Sequence, residues 1–438
     1  MEPVTHFLVG ACIGRAGLNR KTAYATLAAV LAAEAADIDV LWSLAGPVEE
    51  LKHHRGITHT FIAAPVVAGV VVGLVWLLDR WIQARRRRKS WPGRQDLKGH
   101  GFSRAMERSN STPALAAEGM QLGGEALPQG LKPRVPIPTD GTAEAVPFQS
   151  SQTPISTGFS RANVAVRALQ PVHWGWLYAT ALIAALSHLL LDWTNNYGLR
   201  PFFPFNPRWY AGSFVFIAEP VLWIVLLLAL IVPGLLGLVA GEIGARRQPF
   251  RGRGWAIFAL TAMVLLWGWR WAEQAQARAL LDNLQVTSAP VLRIGLEPYP
   301  INPFRWHAIL ETAEYYQIAE VDTRTGEIAS DPRRDVIFKP SSTAATEAAK
   351  RTPLGQVYMD WGAWAVVRDL GQMPVAGMDP PQLPPNRQWT TVEFDDLRWD
   401  YSYLGAGRVT ARNPLAGWVY IVDGRDDAGE AMNVREQR

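Results

Sequence analysis

The chain has 438 residues, 49% of them hydrophobic, with a formal net charge of +4 and a single cysteine. That balance gives no case for a nucleic-acid partner, and the lone Cys12 excludes an intramolecular disulfide framework and any cysteine-based zinc site. A mean hydropathy of zero would suit a soluble protein, but it averages over apolar blocks, one long polar stretch and a polar C-terminal third.

The N-terminus, MEPVTHFLVG, has an acid at position 2 and no basic stretch, which argues against a cleaved signal peptide. Residues 4 to 14 are apolar but short for a membrane span, and 22 to 42 are Ala-rich and interrupted by Glu34, Asp37 and Asp39. Each can be a tilted span, a re-entrant element or a helix buried against others. Then comes HHRGITHT at 53 to 60, three histidines around Arg55, and an apolar run over about 58 to 82. Three more runs, 172 to 193, 213 to 240 and 254 to 272, approach the roughly 20 apolar residues that a bilayer core requires. Four to six membrane helices are expected. Trp76, Trp81, Trp174, Trp176, Trp193, Trp267, Trp269 and Trp271 cluster at span ends, as membrane interfaces favour.

The stretch from about 84 to 170 opens ARRRRKSW, holds 13 Lys or Arg against 6 Asp or Glu and lacks apolar periodicity, so disorder is expected. Its basic opening reads as a topology anchor, compatible with binding anionic lipid heads. From about 290 onward strand-like alternation returns in VLRIGLEP, WHAILETAEYYQIAEVDTRTGEI, QWTTVEFDDLRWDYSYL and GWVYIVDG, with a turn signal at Arg324 to Gly326. His307 in this region reads as a surface or satisfied histidine. The fold expected is mainly α, a multi-pass helical membrane protein with a small β-rich C-terminal domain. Its parts are residues 1 to 83, a basic loop over 84 to 170, membrane helices over 171 to 275 and the β-rich part over 285 to 438.

Lys and Arg near span ends place the loop 84 to 170 in the cytoplasm and residues 43 to 57, 194 to 212 and everything after about 273 outside it. On that topology His6, Asp37, Asp39, His53, His54, His59, His188 and Asp192 converge on the non-cytoplasmic side. His188 and Asp192, four apart, share a helical face and can reach one ion. Imidazole with carboxylate suits zinc or a similar first-row metal. Asp37 and Asp39, two apart, cannot share a helical face, so one is a ligand and the other supports it unless the helix unwinds there. One of His53 and His54 can serve only to orient its neighbours. Arg55 is either solvated surface or a clamp for phosphate or carboxylate.

THFLVG, AADIDVL, HHRGITHT and SHLLLDWTNNYG resemble, in that order, the motifs of the membrane-bound metal-dependent hydrolase family, the YdjM-like proteins also called LexA-binding inner-membrane-associated hydrolases. The resemblance covers residues 1 to about 240, and YPINPFRWHAIL at 299 to 310 resembles a C-terminal block of some members. Ala36 stands where the family commonly has Pro, and Thr60 where Ser is usual. The order of motifs is also distantly similar to the zinc-dependent phospholipase C and single-strand nuclease superfamily. These resemblances imply His6, Asp39, His59, His188 and Asp192 as metal ligands, with His54 a further candidate. They also imply a metal-activated water as nucleophile, Asp37 as general base and Arg55 as the phosphate-holding group. The implied protein is a hydrolase of phosphoesters or other esters in a bacterial inner membrane, with a lipid or small-molecule substrate and no nucleic-acid partner. Two other classes fit the same residues. One is a transporter with a relay through Glu34, Asp37, Asp39, His188, Asp192 and Glu219; the other is a non-catalytic membrane scaffold.

Overall fold

Small residues decide how the first two helices meet. In the computed structural model, which describes residues 2–90, 171–242, 252–283, 286–331, 333–401 and 415–432, α1 (Pro3–Arg15) lies against α2 (Ala25–Glu34). A Cβ added at Gly10 would stand 2.8 Å from that of Ala33, and one at Gly14 would stand 2.5 Å from Thr26 Cα. Such approach is what glycine and alanine permit between apolar helices. The other side of α2 packs on α5 (Trp174–Thr194) through Ala28, Ala32, Ala181 and Ala184, all buried. The Ala-rich segment is therefore an internal helix, which is why its hydropathy is too low for a span. At 13 and 10 residues, α1 and α2 reach roughly 20 and 15 Å, short of a bilayer core of about 30 Å.

Among the described residues four helices are long and apolar enough to cross a membrane: Ala63–Arg86, Trp174–Thr194, Pro220–Leu238 and Arg253–Asn283. They belong to α4 (Ala63–Ser90), α5, α6 (Pro220–Glu242) and α7 (Arg253–Asn283). The connection from α2 to α4 is compact. It comprises a 3-10 segment (Ala35–Ala45), the short α3 (Pro47–His53) and a 3-10 turn (Ile57–His59). Residues 1–84 and 166–438 make one compact unit and 85–165 a second; of the latter only the end of α4 is described. Of the disordered loop expected over 84 to 170, residues 84–90 are instead the end of α4, and 91–170 lie outside the described residues.

The last span was expected to stop near 272. Instead α7 runs on to Asn283, because the sequence after Trp271 is rich in helix formers and Ala277 and Leu281 are buried in a core shared with Leu296, Trp306 and Ala308. Those three residues belong to the first of two antiparallel sheets, β1 (Arg293–Pro298), β2 (Arg305–Glu311), β3 (Tyr315–Asp322) and β4 (Glu327–Ala329), with β5 (Val336–Phe338) also on β3. The turn between β3 and β4 carries Gly326 at φ 75°, a conformation that glycine adopts without strain.

Two helices that the sequence reading did not anticipate follow, α8 (Ala344–Ala349) and α9 (Pro353–Trp361). Thr343 and Thr352 cap them by accepting from Thr346 N and Gly355 N. The second sheet is β6 (Ala365–Asp369), β7 (Trp389–Asp396), β8 (Gly417–Val422) and β9 (Asp426–Met432) in that order. Its core, with Tyr358, Trp361 and Phe394, also takes in Leu51 of α3 and Tyr197 after α5. Two buried charges tie the membrane helices to the sheets. Arg270 of α7 donates to Glu219 Oε2 at 2.7 Å and to Tyr299 O at 3.0 Å. Arg398 donates to Asp396 and to the Asn196 carbonyl at 2.9 Å.

Candidate metal centre

The helix that carries SHLLLDWT fixes two donors by spacing alone. His188 and Asp192 lie one turn apart on the fully buried face of α5, with His188 Nε2 3.3 Å from Asp192 Oδ2. The other nitrogen of that ring, Nδ1, lies 2.6 Å from the carbonyl of Ala33. That carbonyl can only accept, so Nδ1 carries the proton and the lone pair sits on Nε2. Nε2 is buried and has no hydrogen-bond partner among the described residues.

His59, at the end of the 3-10 turn Ile57–His59, is fully buried and lies between two aspartates. Its Nε2 is 3.2 Å from Asp37 Oδ1 and 3.4 Å from Asp192 Oδ2, while Nδ1 faces Asp39 Oδ2 at 3.2 Å. Asp37 and Asp39 stand in the 3-10 segment that begins at Ala35, and being two residues apart they project to different sides. Asp37 joins His188, with Oδ1 3.5 Å from Nε2. Asp39 goes behind His59 and also accepts from Arg55 N at 2.8 Å. Asp37, His59, His188 and Asp192 thus offer four donor atoms, all within 4.8 Å of one another.

This placement differs from the sequence expectation, which made Asp39 a ligand and Asp37 the base. Spacing could not show that the helix unwinds at the acidic pair. His6 is fully buried, its ring stacked on His188 at 3.7 Å and its Nε2 3.5 Å from Asp192 Oδ1; it flanks the four donors. His54 sits at the rim, with Nδ1 3.4 Å from Asp39 Oδ1. His53 faces outward, stacked on Trp42 and beside Glu49. Arg55, a candidate phosphate clamp, is 3% exposed. Its guanidinium meets Asp192 Oδ1 at 2.9 Å, Gly198 O at 2.7 Å and Asn195 Oδ1 at 3.3 Å, over the ring of Tyr197. That arrangement sets Asp192 rather than facing outward. His307 is buried in β2 with Nε2 2.9 Å from Leu397 O, a satisfied histidine.

The electrostatics favour a cation. Burial works against the Asp37 anion, yet the hydrogen bond with His59 and the neighbouring rings of His188 and His6 bring its carboxyl down to about 2. Burial likewise opposes ionisation of Asp39, and His54 and His59 hold it below the usual carboxylate range. Of the three carboxylates Asp37, Asp39 and Asp192, the guanidinium of Arg55 is paired with Asp192. With neutral imidazoles two negative charges are left to compensate, the charge of one divalent ion.

A family model described as YdjM inner membrane protein matches residues 1–277. That stretch contains every donor of the cluster. No curated protein and no solved structure matches the chain.

Proposed function

The chain belongs to the YdjM inner membrane protein family, and from that premise and its donor cluster we propose a membrane-embedded metal-dependent hydrolase acting on a phosphoester or other ester of a lipid or lipid-linked substrate. Asp37, His59, His188 and Asp192 would hold the ion, and mixed imidazole and carboxylate donors suit zinc. The observation that carries this reading is His188. A ring whose Nδ1 is fixed on a backbone carbonyl and whose buried Nε2 has no hydrogen-bond partner fits a metal ligand better than a packing residue. A divalent ion in such a site supplies Lewis-acid polarisation and activates water at neutral pH.

The chain's own residues do the rest. Asp39 holds the Nδ1 proton of His59 and so turns Nε2 into the cluster, as the Ala33 carbonyl does for His188. Arg55 fixes the orientation of Asp192. Asp37 is partly exposed whereas His59, His188 and Asp192 are buried, so the cluster opens toward solvent on the side of Asp37. The surroundings support a lipid substrate. Next to the polar residues stand exposed apolar ones, Phe7 beside His6, Ile38 and Val40 beside Asp37 and Asp39, and Phe61 and Ile62 after His59. Exposed apolar side chains this close in sequence to the charged residues are suited to the membrane interface.

The test is metal analysis of detergent-purified protein together with hydrolysis of a phospholipid in mixed micelles. Metal at one equivalent or more is expected, and chelation should abolish hydrolysis until zinc is returned. Protein that carries no metal, or that hydrolyses lipid equally well after chelation, would reject the reading. We further infer an orientation with residues 285 to 438 outside the cytoplasm, from the basic residues flanking the spans. Reporter fusions at position 130 and at the C-terminus should then give opposite signals, and equal signals would overturn it.

A further inference from the structure

A second cavity, of about 670 Å³, is lined by residues of the α1 C-terminus, the turn after it and the N-terminal halves of α5 and α7. His6 opens α1, and His188 and Asp192 close α5, so the cavity lies toward the opposite ends of those helices from the metal centre. Its composition changes with depth. At the rim are Arg20, Lys21, Trp176 and Arg253; further along the same two helices are Ile183 and Leu260. Trp176 to Ile183 and Arg253 to Leu260 are each seven residues, about 10 Å of helix. Two spans therefore grade in parallel from a polar rim to an apolar wall.

Among the described residues no acidic side chain lines the cavity. The ammonium of Lys21 lies 5.4 Å from the centre of the Trp176 ring, and Arg253 Nε donates to the Ala16 carbonyl at 3.1 Å. Both partners are uncharged, so the cationic charge stays available. Gly17, at φ 149°, leaves room for the guanidinium, since a Cβ there would stand 3.4 Å from Arg253 Nε.

We propose that this cavity is a binding site for an anionic phospholipid of the surrounding bilayer, its phosphate at Lys21 and Arg253 and an acyl chain along Ile183 and Leu260. Cationic side chains above an apolar groove between membrane helices match a lipid in both charge and depth, and basic pockets of this kind select anionic head groups. A free phosphate ion would satisfy the rim but leave the apolar wall without a partner. The proposal does not depend on the hydrolase reading.

The test uses full-length protein in mixed micelles of equal phosphatidylglycerol and phosphatidylcholine, followed by mass spectrometry of the lipid retained after purification. Phosphatidylglycerol should be enriched at least several-fold over its share of the micelle. The Lys21→Gln, Arg253→Gln double variant should lose that preference, and Leu260→Trp, which fills the groove but keeps the charges, should lose retention. An Arg278→Gln control should behave as wild type. No enrichment in wild type, or displacement of the lipid by millimolar inorganic phosphate with Leu260→Trp unaffected, would overturn the proposal. If the double variant does not fold, the wild-type enrichment and Leu260→Trp still decide it.

Discussion

Asp192→Asn and His188→Ala are each expected to lower metal content at least ten-fold, and the double variant is expected to lose little more than either alone. Replacing a carboxylate by an amide keeps the shape of Asp192 but removes the charge that the cation balances. Loss of a supporting group near a metal already costs about 10- to 100-fold in affinity, and loss of a ligand should cost no less. The two side chains lie 3.3 Å apart and point at the same space, so either change alone cripples the site and the second has little left to remove. Insertion should not suffer, because α5 keeps its apolar length without the imidazole. The readouts are metal and hydrolysis per membrane-inserted protein. Mild losses that simply add, with metal retained, would make the pair a packing contact and remove the ground for an enzyme.

The second large effect concerns stability rather than chemistry. Arg270→Met should destabilise the protein by about 3 to 5 kcal/mol, the usual result of removing one partner of a buried ion pair. Glu219 is fully buried and Arg270 is 1% exposed, so the carboxylate left behind has no access to water in place of its 2.7 Å partner. The Tyr299 carbonyl loses its donor as well. Adding Glu219→Gln should recover much of the loss, since it removes the stranded charge. Thermal unfolding in detergent of the two single variants and the double checks this. A double variant as unstable as the sum of the singles would show that the residues do not act as a pair.

Both results bear on what the sequence could reveal. His188 and Asp192 were legible because a helix puts residues four apart on one face whatever surrounds it. The convergence of His6, Asp39, His54 and His59 was legible from depth in the membrane. The exchange of places between Asp37 and Asp39 was not, because a spacing of two puts them on different faces without telling which face meets His188 and Asp192. Arg55 looked like a surface group or an anion clamp, since nothing in HHRGITHT shows that Asn195, Tyr197 and Gly198 close over it from a segment about 140 residues away. Arg270 was hidden in GWRWAE, where a charge at the end of a Trp-rich span reads as an interfacial anchor. Strands β1 to β4, β7 and β8 were readable from alternation, whereas β5, β6 and β9 were not singled out, and α8 and α9 are short and sit in a Thr- and Ala-rich stretch whose helical pattern is too brief to stand out.

The bond from Arg398 to the Asn196 carbonyl joins residues 202 apart in sequence, and so it sets a schedule. The turn that carries Asn195 and Asn196 follows Asp192 directly and is made, with all four donors, long before Arg398 exists. At about 5 to 20 residues per second the ribosome needs roughly 10 to 40 s to reach Arg398. During synthesis the donors are therefore complete in number before the turn behind them has its partner Arg398, and that clamp on the turn is a late event in the birth of the chain.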